Sequence, residues 1–365
     1  MQFSFRQLLG CFQLQVEPAN AEPFGDGLIN STFKISDEGG VPRYILQRIN
    51  HAVFKDVDTL QDNIVQVTGH ICEKLRLSGI KDAGQRVLSL VPASDGKSYH
   101  FDGENYWRVY HFIQGSKVLK VLTSHSSYLS GQMFGDFQYM LSDLPEGSIK
   151  ESIPGFHNMS LRLTQFRQAL KDDSVGRLKE VRSIVDELER RSTTYCIQEE
   201  LCERGELPKR INHCDTKLNN ILFNENDEPL CVVDLDTVMP GFVLSDFGDF
   251  VRISGNKALE DEADLSKIAL DKEIVLAYAD GYLSRAVRFL TERELQLLSY
   301  GPALMTYMQT VRFFTDYLNG DIYYKTMHNK HNLQRTCAQF RFLQILEESQ
   351  DMLAKELRLL CEKYR

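Results

Sequence analysis

The sequence lacks the features that mark membrane and secreted proteins. No apolar run reaches the roughly 20 residues that a helix needs to span a bilayer, which predicts no membrane partner. Residues 1–20 contain a single Arg and are interrupted by Gln and Gly, so they do not have the pattern of a signal peptide. The sequence therefore predicts a cytoplasmic protein.

Closely spaced cysteines and an excess of basic charge are also missing. The eight cysteines are scattered without a Cys-x-x-Cys pair, which predicts reduced and mostly buried thiols rather than a disulfide framework. The net charge is -9, whereas proteins that bind nucleic acid usually carry a basic stripe. We therefore predict no nucleic-acid partner.

The apolar pattern divides the 365 residues into two predicted lobes. Residues 24–50 show the alternation of a hairpin with a glycine turn at 39–40, and residues 86–113 show further strands, the first over 87–91. Residues 56–78 show helical periodicity. The later segments are mainly helical, apart from a β-like stretch over 219–239; they are 123–141, 160–202, 265–290, 292–318 and 332–362. This predicts an α+β protein, with a β-rich N-terminal lobe over 1–115 and a mostly helical C-terminal lobe over 116–365.

The strongest chemical signal lies between residues 211 and 223. His213, Asp215 and Asn220 have the spacing H-x-D-x-x-x-x-N, which is the pattern of a kinase catalytic loop. In such a loop the Asp reaches the attacking hydroxyl and the Asn holds a metal ion, while Lys217 is placed to meet the γ-phosphate. The alternative is a loop in which Asp and Asn side chains bind their own backbone.

A second acidic segment follows at residues 232–236. Asp234 ends an apolar strand at the position of the magnesium-binding Asp of kinases, and Mg²⁺ prefers hard carboxylate oxygens. In an extended segment Asp236 shares a face with Asp234, so it either assists or only hydrogen-bonds the loop. Together the two segments predict ATP and Mg²⁺ as cofactors, with Asn220 and Asp234 as metal ligands.

A glycine-bearing loop precedes the first predicted hairpin. Gly25, Gly27 and Asn30 belong to this loop, whose backbone N–H groups can cover phosphates; a plain hairpin turn is the alternative. A cation for the phosphates is expected on the next strand, where the candidates are Gln47 and Arg48. Strand alternation allows only one of these two side chains to face the nucleotide.

Phe112 and Ile113 stand where a hinge would bind adenine through backbone groups, although an interior strand followed by a turn explains the same pattern. Farther along the chain, Asp246 and Asp249 lie in a Ser-Asp-Phe-Gly-Asp stretch. We interpret these two acids as supports that hydrogen-bond the catalytic loop rather than as a metal motif.

Several long stretches resemble the aminoglycoside phosphotransferase and choline kinase superfamily, and within it the bacterial N-acetylhexosamine 1-kinases. They keep their order along nearly the whole chain; they are FGDGLINSTF, RYILQRIN, WRVYHFI, FGDFQ, HCDTKLNNILF, VVDLDTVMPG, SDFGD and VRFFTDYLNGDIYY. The resemblance implies a two-lobed protein-kinase-like fold. It also implies transfer of the γ-phosphate of ATP to the anomeric hydroxyl of N-acetylglucosamine or N-acetylgalactosamine.

The resemblance further implies roles for individual residues. Asp215 matches the catalytic Asp of the family, and Asn220 and Asp234 match its magnesium ligands. Arg312 and Tyr323 match positions that contact the sugar, as Asp215 also does. Where the family has a sugar-contacting His, this sequence has Leu28, which leaves the preferred sugar open.

Three other functions remain open at this point. The same chemistry could act on choline, which needs an aromatic cage, or on homoserine or an aminoglycoside, the last of which needs an acidic site. A non-catalytic pseudokinase could sense a sugar or a nucleotide. A hydrolase could use Asp234 and Asp236 as paired carboxylates. The expected partners are a small sugar and ATP, and the sequence does not indicate an oligomeric state.

Overall fold

The structure is a computed structural model that describes residues 5–25, 27, 29–145 and 147–365. The described residues cluster into two compact units. The first unit, which we call the β unit, contains the described residues within Met1–Leu119, Met140–Pro154 and Asn219–Met239. The second, which we call the helical unit, contains the described residues within Lys120–Tyr139, Gly155–Leu218 and Pro240–Arg365. The predicted α+β class is confirmed, with a small antiparallel sheet and a larger helical region. The division into lobes at residue 115 stays a prediction.

Six strands form the antiparallel sheet of the β unit, in the order β1-β2-β3-β6-β4 with β5 beside β6. They are β1 Asn20–Pro23, β2 Ser31–Ser36, β3 Pro42–Ile49, β4 Leu90–Val91, β5 His100–Phe101 and β6 Tyr106–His111. The β2–β3 hairpin confirms the predicted glycine turn, in which Gly40 has a φ of 76° that favours glycine. The predicted strand over 87–91 was too long, since only its last two residues pair with β6.

One face of this sheet forms a hydrophobic core. Alternate strand residues such as Ile35, Leu46 and Val109 are fully buried there, as the period of two in strands requires. Helix α1, Phe5–Leu9, adds Leu8 and Leu9 to the same core. Each fully buried side chain of this size contributes about 1.5–3 kcal/mol to folding.

Helix α2 spans Val57–Leu77 and confirms the helix predicted over 56–78. The Asp56 carboxylate caps its first turn by accepting the Thr59 N–H at 3.0 Å. Farther along the chain, β8 (Ile221–Phe223) and β9 (Pro229–Val232) pair as a hairpin within the β-like segment predicted over 219–239. Asn220 directly precedes this hairpin, and Asp234 follows it by two residues.

The remaining elements lie mostly in the helical unit. They are α3 Ser124–Leu141, α4 Met159–Asp172, α5 Arg182–Arg191, α6 Ile197–Glu203, β7 Arg210–Asn212, β10 Met239–Gly241, α7 Val243–Ser254, α8 Lys272–Ala286, α9 Glu292–Leu297, α10 Gly301–Leu318, α11 His331–Glu348 and α12 Gln350–Tyr364. The segment predicted to be helical over 160–202 is divided into α4, α5 and α6, so the prediction was wrong at the two breaks. Helix α4 ends because Asp173 and Gly176 adopt left-handed φ values of 37° and 69°.

The sequence predicted reduced, mostly buried cysteines and no membrane-spanning helix. All eight cysteines are free, as predicted, but only Cys214, Cys231 and Cys361 are buried and the other five are half-buried. The expectation of mostly buried thiols was therefore wrong. No helix in the described ranges combines the length and the apolar character that crossing a bilayer requires.

Helices α3 and α8 pack backbone against backbone at two glycines. A Cβ built on Gly281 would lie 1.9 Å from the Tyr128 carbonyl oxygen, and one built on Gly131 would lie 2.2 Å from the Tyr278 carbonyl oxygen. Because the obstructing atoms are backbone oxygens, a side chain fits only if the two helices separate. The contact therefore requires glycine at both positions.

The Gly281→Ala variant is expected to lower the free energy of unfolding by about 1–3 kcal/mol, the usual cost of overpacking. Gly69→Ala is the matched control, because Gly69 lies within α2 and a Cβ there meets nothing within 4 Å. The control is expected to stabilise the protein by about 0.5–1 kcal/mol. Urea unfolding of both variants measures the difference, and equal stabilities would contradict the close packing of α3 and α8.

Candidate active site

The segment around Asp215 is held by one buried carboxylate. Asp246, in the first turn of α7, accepts the backbone N–H groups of His213 and Cys214, each at 2.8 Å. Thr216 Oγ1 donates to the backbone oxygen of Asp246 at 2.6 Å. Burial raises the pKa of Asp246, and the donated N–H groups oppose that rise. The predicted supporting role of Asp246 is confirmed, whereas the Asp249 carboxylate binds Arg252 at 2.8 Å.

The same loop is fixed on its other side by aromatic packing. The buried His213 ring lies 5.6 Å from the Phe134 ring and 5.9 Å from the Phe137 ring, edge to face in both cases. Cys214 follows with a φ of 62°, a left-handed conformation that costs a non-glycine residue about 1–3 kcal/mol. The packing and the bonds to Asp246 hold this conformation in place.

Asp215 stands at the end of this rigid segment and is accessible. Its carboxylate is 30% exposed, and Lys217 Nζ donates to its Oδ2 at 2.6 Å. The structure thus brings together the two residues predicted to be catalytic. A half-exposed pair of this kind adds little to stability, at most about 1 kcal/mol.

Asn220 and Asp234, the predicted metal ligands, flank the β8–β9 hairpin. The Val233 N–H donates to the Asn220 carbonyl oxygen at 2.9 Å, which ties the two segments together. Asp234 is exposed and has a left-handed φ of 60°. An amide oxygen and a carboxylate fit Mg²⁺, which usually takes one or two protein oxygens and keeps several waters. In the described part of the chain, no three His, Cys, Asp or Glu side chains are arranged to hold a metal.

Asp236 corrects the prediction of an extended segment after Asp234. Residues Leu235–Thr237 form a 3₁₀ turn, so Asp236 does not share a strand face with Asp234. It is 2% exposed, and its two oxygens accept both terminal nitrogens of Arg108, with Nη2–Oδ2 at 2.8 Å. This buried pairing removes the geometric basis for a hydrolase that uses Asp234 and Asp236 as paired carboxylates.

Arg108 lies on β6, directly opposite Gln47 on β3. Gln47 Oε1 accepts Arg108 Nε at 3.0 Å and Nη2 at 2.8 Å, while Gln47 Nε2 donates to Thr32 Oγ1 at 3.0 Å. Arg48 points away from this network, is exposed, and donates to Ser31 Oγ at 3.1 Å. Gln47 rather than Arg48 therefore joins this buried network, and the charge next to it is that of Arg108 on β6. A contact of Gln47 or Arg48 with the phosphates stays a prediction.

Sequence reasoning missed Arg108, although a signal was present. A charged residue in the middle of the apolar strand Tyr106–His111 has to be buried with a partner, because charged groups are almost never buried unpaired. Burial opposes the charged form of Arg108, but Asp236 outweighs it and raises the pKa of Arg108. The partner lies 128 residues away in sequence, so it could not be assigned from local patterns.

The glycine loop is attached to this ion pair. Asn30 Nδ2 donates to Asp236 Oδ2, and Asn30 Oδ1 accepts the Asn50 N–H at 2.9 Å. Gly25 has a φ of 77°, and a Cβ on Gly27 would lie 3.9 Å from the Asn30 carbonyl oxygen. The hypothesis about Leu28 lies outside the described residues.

Phe112 and Ile113 follow the end of β6. The Phe112 N–H donates to the Arg43 carbonyl oxygen at 2.9 Å, which extends the sheet pairing by one residue. The Ile113 carbonyl oxygen accepts Ser116 Oγ at 2.6 Å, and Gly115 adopts a left-handed φ of 68°. The segment is therefore a strand end followed by a tight turn, and its role as a hinge stays a prediction.

Arg312 projects from α10 among aromatic rings. Its Nη1 donates to Gln309 Oε1 at 3.1 Å, and its guanidinium carbon lies 5.3 Å from the Phe156 ring and 5.7 Å from the Tyr324 ring. Tyr323, the other residue predicted to contact the substrate, is 65% exposed, and its ring lies 4.8 Å from that of Tyr324. Both predicted residues are thus neighbours of Tyr324.

Asp316 organises the turn that carries Tyr323. Its carboxylate accepts the N–H groups of Ile322, Tyr323 and Tyr324 at 3.0, 2.8 and 2.9 Å. Asn332 Nδ2 from α11 donates to the same carboxylate at 2.8 Å. One buried acid therefore fixes three consecutive backbone groups, as Asp246 does for two groups near Asp215.

Arg162 and His157 complete the surroundings of Arg312, and sequence reasoning missed both. Arg162, on α4, donates from Nη2 to the Phe156 carbonyl oxygen at 2.8 Å. Burial and the neighbouring Arg312 lower the pKa of Arg162 to about 10. Burial, with the charges of Arg312 and Arg162, lowers the pKa of His157 to about 3, and Asp215 partly opposes that shift. Arg162 contacts the Phe156 carbonyl oxygen and Arg312 lies against the Phe156 ring, so both arginines surround the residue that precedes His157.

The model of a family described as "Phosphotransferase enzyme family" matches residues 20–292. Among solved structures, the chain resembles an aminoglycoside phosphotransferase from Alicyclobacillus acidocaldarius, with a TM-score of 0.58 and 15% identity over 97% of this chain and 95% of that one. It also resembles an ethanolamine kinase from Plasmodium vivax, with a TM-score of 0.54 and 12% identity over 88% and 82% of the two chains.

A spectinomycin phosphotransferase that was solved with ADP and spectinomycin is similar over 98% of this chain and 99% of its own, with a TM-score of 0.56 and 13% identity. At these identities the similarities show the fold, which is the kinase-like fold that the sequence predicted. The family model covers most of the chain, from the first strand to the start of α9. The chain therefore belongs to the phosphotransferase enzyme family.

Proposed function

We propose that this protein is a kinase that transfers the γ-phosphoryl group of ATP to the anomeric hydroxyl of an N-acetylhexosamine. The observation that carries the proposal is the rigid presentation of Asp215, which is accessible, paired with Lys217 and held by Asp246. A positioned carboxylate is what a kinase needs to orient a hydroxyl, because little other chemistry is required of the protein.

In the proposed reaction Asp215 orients the acceptor hydroxyl and takes its proton as the oxygen attacks phosphorus. Lys217, bound to Asp215 at 2.6 Å, provides positive charge beside the transferring group. Asn220 and Asp234 would hold Mg²⁺, which supplies charge that neutralises the phosphate oxygens. Asn30 and Gln47, both attached to the Arg108–Asp236 pair, would position the loop and strand that contact the nucleotide.

The surroundings of Asp215 favour a sugar over a cationic acceptor. Arg312 and Arg162 bring positive charge close to His157, and so repel the ammonium groups of choline or an aminoglycoside. The Phe156 and Tyr324 rings, which could have formed a cage for choline, already lie against the Arg312 guanidinium. A fixed fork of Arg donors suits ring hydroxyls or an acetamide carbonyl oxygen.

The test is a panel of acceptors incubated with ATP and Mg²⁺, with ADP release and loss of the reducing end as readouts. We expect turnover with N-acetylglucosamine or N-acetylgalactosamine, and a product without a reducing end. Faster turnover of choline, homoserine or an aminoglycoside would overturn the assigned acceptor. Nucleotide binding without ADP release from any acceptor would support the pseudokinase alternative.

A further inference from the structure

Arg162 and Arg312 are half-buried arginines of the helical unit, and among the described residues neither has an acidic partner, unlike three other arginines of this unit. Arg252, Arg210 and Arg191 each bind a carboxylate, at 2.8, 2.6 and 2.8 Å. Within the described ranges, Arg162 and Arg312 donate only to neutral oxygens, of Gln165, Phe156 and Gln309. We call these two residues the arginine pair.

The arginine pair carries uncompensated charge in a partly desolvated place. Arg162 donates to the Phe156 carbonyl oxygen at 2.8 Å and the Arg312 guanidinium carbon lies 5.3 Å from the Phe156 ring, so both cations surround one residue. Burial, together with the like charge of Arg312, lowers the pKa of Arg162. Arg162 Nε and His157 Nδ1 are also buried without a hydrogen-bond partner among the described residues. Buried donors without hydrogen bonds and buried charges without partners raise the free energy of the folded protein. A ligand that supplies the missing partners removes this cost and therefore binds more tightly.

The acids nearby do not supply this neutralisation. Asp215 is paired with Lys217, and Asp249 is paired with Arg252. The charges of Asp215, Arg162 and Arg312 all act on His157, and from this we infer that the arginine pair lies on the acceptor side of the proposed catalytic carboxylate. A group bound by the pair would therefore belong to the acceptor molecule or to the phosphoryl group being transferred.

We propose that Arg162 and Arg312 form an anion subsite for the acceptor, and that the preferred acceptor is an acidic N-acetylhexosamine with a carboxylate or a phosphate remote from its anomeric hydroxyl. Arg forks match both anions in bidentate geometry. The inference rests on the proposed function and narrows its substrate class. The anomeric oxygen forms a bond to the γ-phosphorus, the bond to the β,γ-bridging oxygen breaks, ADP leaves with that electron pair, and Asp215 takes the hydroxyl proton.

The test compares N-acetylglucosamine, its 6-phosphate and its uronic acid as acceptors, with kcat and KM measured separately for each. For the unaltered protein, we expect at least one acidic acceptor to have a KM about tenfold lower than the neutral sugar, since hydrogen bonds to a charged group are stronger than those to a neutral one. The 6-phosphate and the uronic acid distinguish a phosphate from a carboxylate as the preferred anion.

Arg162→Gln is expected to raise the KM of the acidic acceptor about tenfold or more, and that of the neutral sugar by less, with a smaller effect on kcat. Arg162→Lys keeps the charge without the planar fork and is expected to recover part of the loss. Arg358→Gln, on the exposed face of α12, is the matched control and should behave as the unaltered protein. Thermal unfolding verifies that each variant is folded. If Arg162→Gln does not fold, the KM values of Arg162→Lys are used for the comparison instead.

The possible failures are distinguishable. Phosphorylation of the neutral sugar with no advantage for either acid would overturn the anion subsite and leave the proposed function standing. No phosphorylation of any of the three sugars would overturn the proposed function itself. An equal loss of kcat for all acceptors in Arg162→Gln would mean that the pair contacts the transferring phosphoryl group, which also overturns the subsite.

Discussion

Asp215→Asn is expected to lower kcat by at least about a hundredfold, the lower range for loss of a general base. Asn has nearly the same size as Asp but does not accept the proton of the acceptor hydroxyl. The loop is held by Asp246 through the backbone of His213 and Cys214, so its shape does not depend on the Asp215 charge. We therefore expect an unchanged thermal unfolding temperature beside the loss of ADP release.

Asp227→Asn is the matched control for this variant. Asp227 also pairs with a lysine, Lys117, at 2.7 Å, and its side chain is 56% exposed. It also has a left-handed φ of 62°, which Asn tolerates well. The control should retain full activity. A kcat for Asp215→Asn close to that of the control would remove Asp215 from its proposed role.

Arg108→Met is expected to lower the free energy of unfolding by about 3–5 kcal/mol, because it leaves the Asp236 carboxylate buried without its partner. The same change removes the donor that orients Gln47, and it leaves Asn30 attached to an unneutralised acid. We therefore also expect a higher KM for ATP. Urea unfolding and steady-state kinetics at saturating acceptor measure the two effects independently.

The double variant Arg108→Met with Asp236→Leu separates stability from positioning. Replacing both members of a buried ion pair with apolar residues is often neutral for stability, so we expect most of the loss to be recovered. The KM for ATP should stay high, because Asn30 and Gln47 still lack the bonds to Asp236 and Arg108 that orient them. Recovery of both quantities would mean that the pair has only a structural role.

Arg86→Met is the control for these variants. Arg86 pairs with Asp82 at 3.0 Å, and both side chains are largely exposed, at 40% and 45%. An exposed pair contributes at most about 1 kcal/mol, so both stability and the KM for ATP should change little. A loss in Arg108→Met no larger than that in Arg86→Met would contradict the buried network.

Elements dominated by local patterns were predictable from the sequence. Helix α2 was predicted within one residue at each end, because its apolar spacing and its capping residue Asp56 lie within the helix or next to it. The β2–β3 hairpin likewise follows from alternation and a glycine turn. The break after α4 was missed, although the turn residues of 172–176 are a local signal for it.

The site residues likewise include some that were predictable from a local pattern and some that were not. The spacing of Asp215, Lys217 and Asn220 lies in one short segment, so the chain itself carries that signal. The Arg108–Asp236 pair joins residues 128 positions apart, and Arg162 and Arg312 come together around Phe156 from α4 and α10. Periodicity carries no information about such contacts, because they depend on the tertiary arrangement.

The two hydrogen bonds accepted by Asp246 also matter for attempts to redesign the acceptor preference. The Asp246 carboxylate accepts the backbone N–H groups of His213 and Cys214, each at 2.8 Å. The Asp246→Glu variant adds a methylene to this side chain and is therefore expected to displace the loop that presents Asp215. A mutant library should keep Asp246 constant and vary Arg162 and Tyr323. Among the described residues, neither of these two side chains binds a carboxylate. Altered selectivity could then be sought without loss of the chemical step.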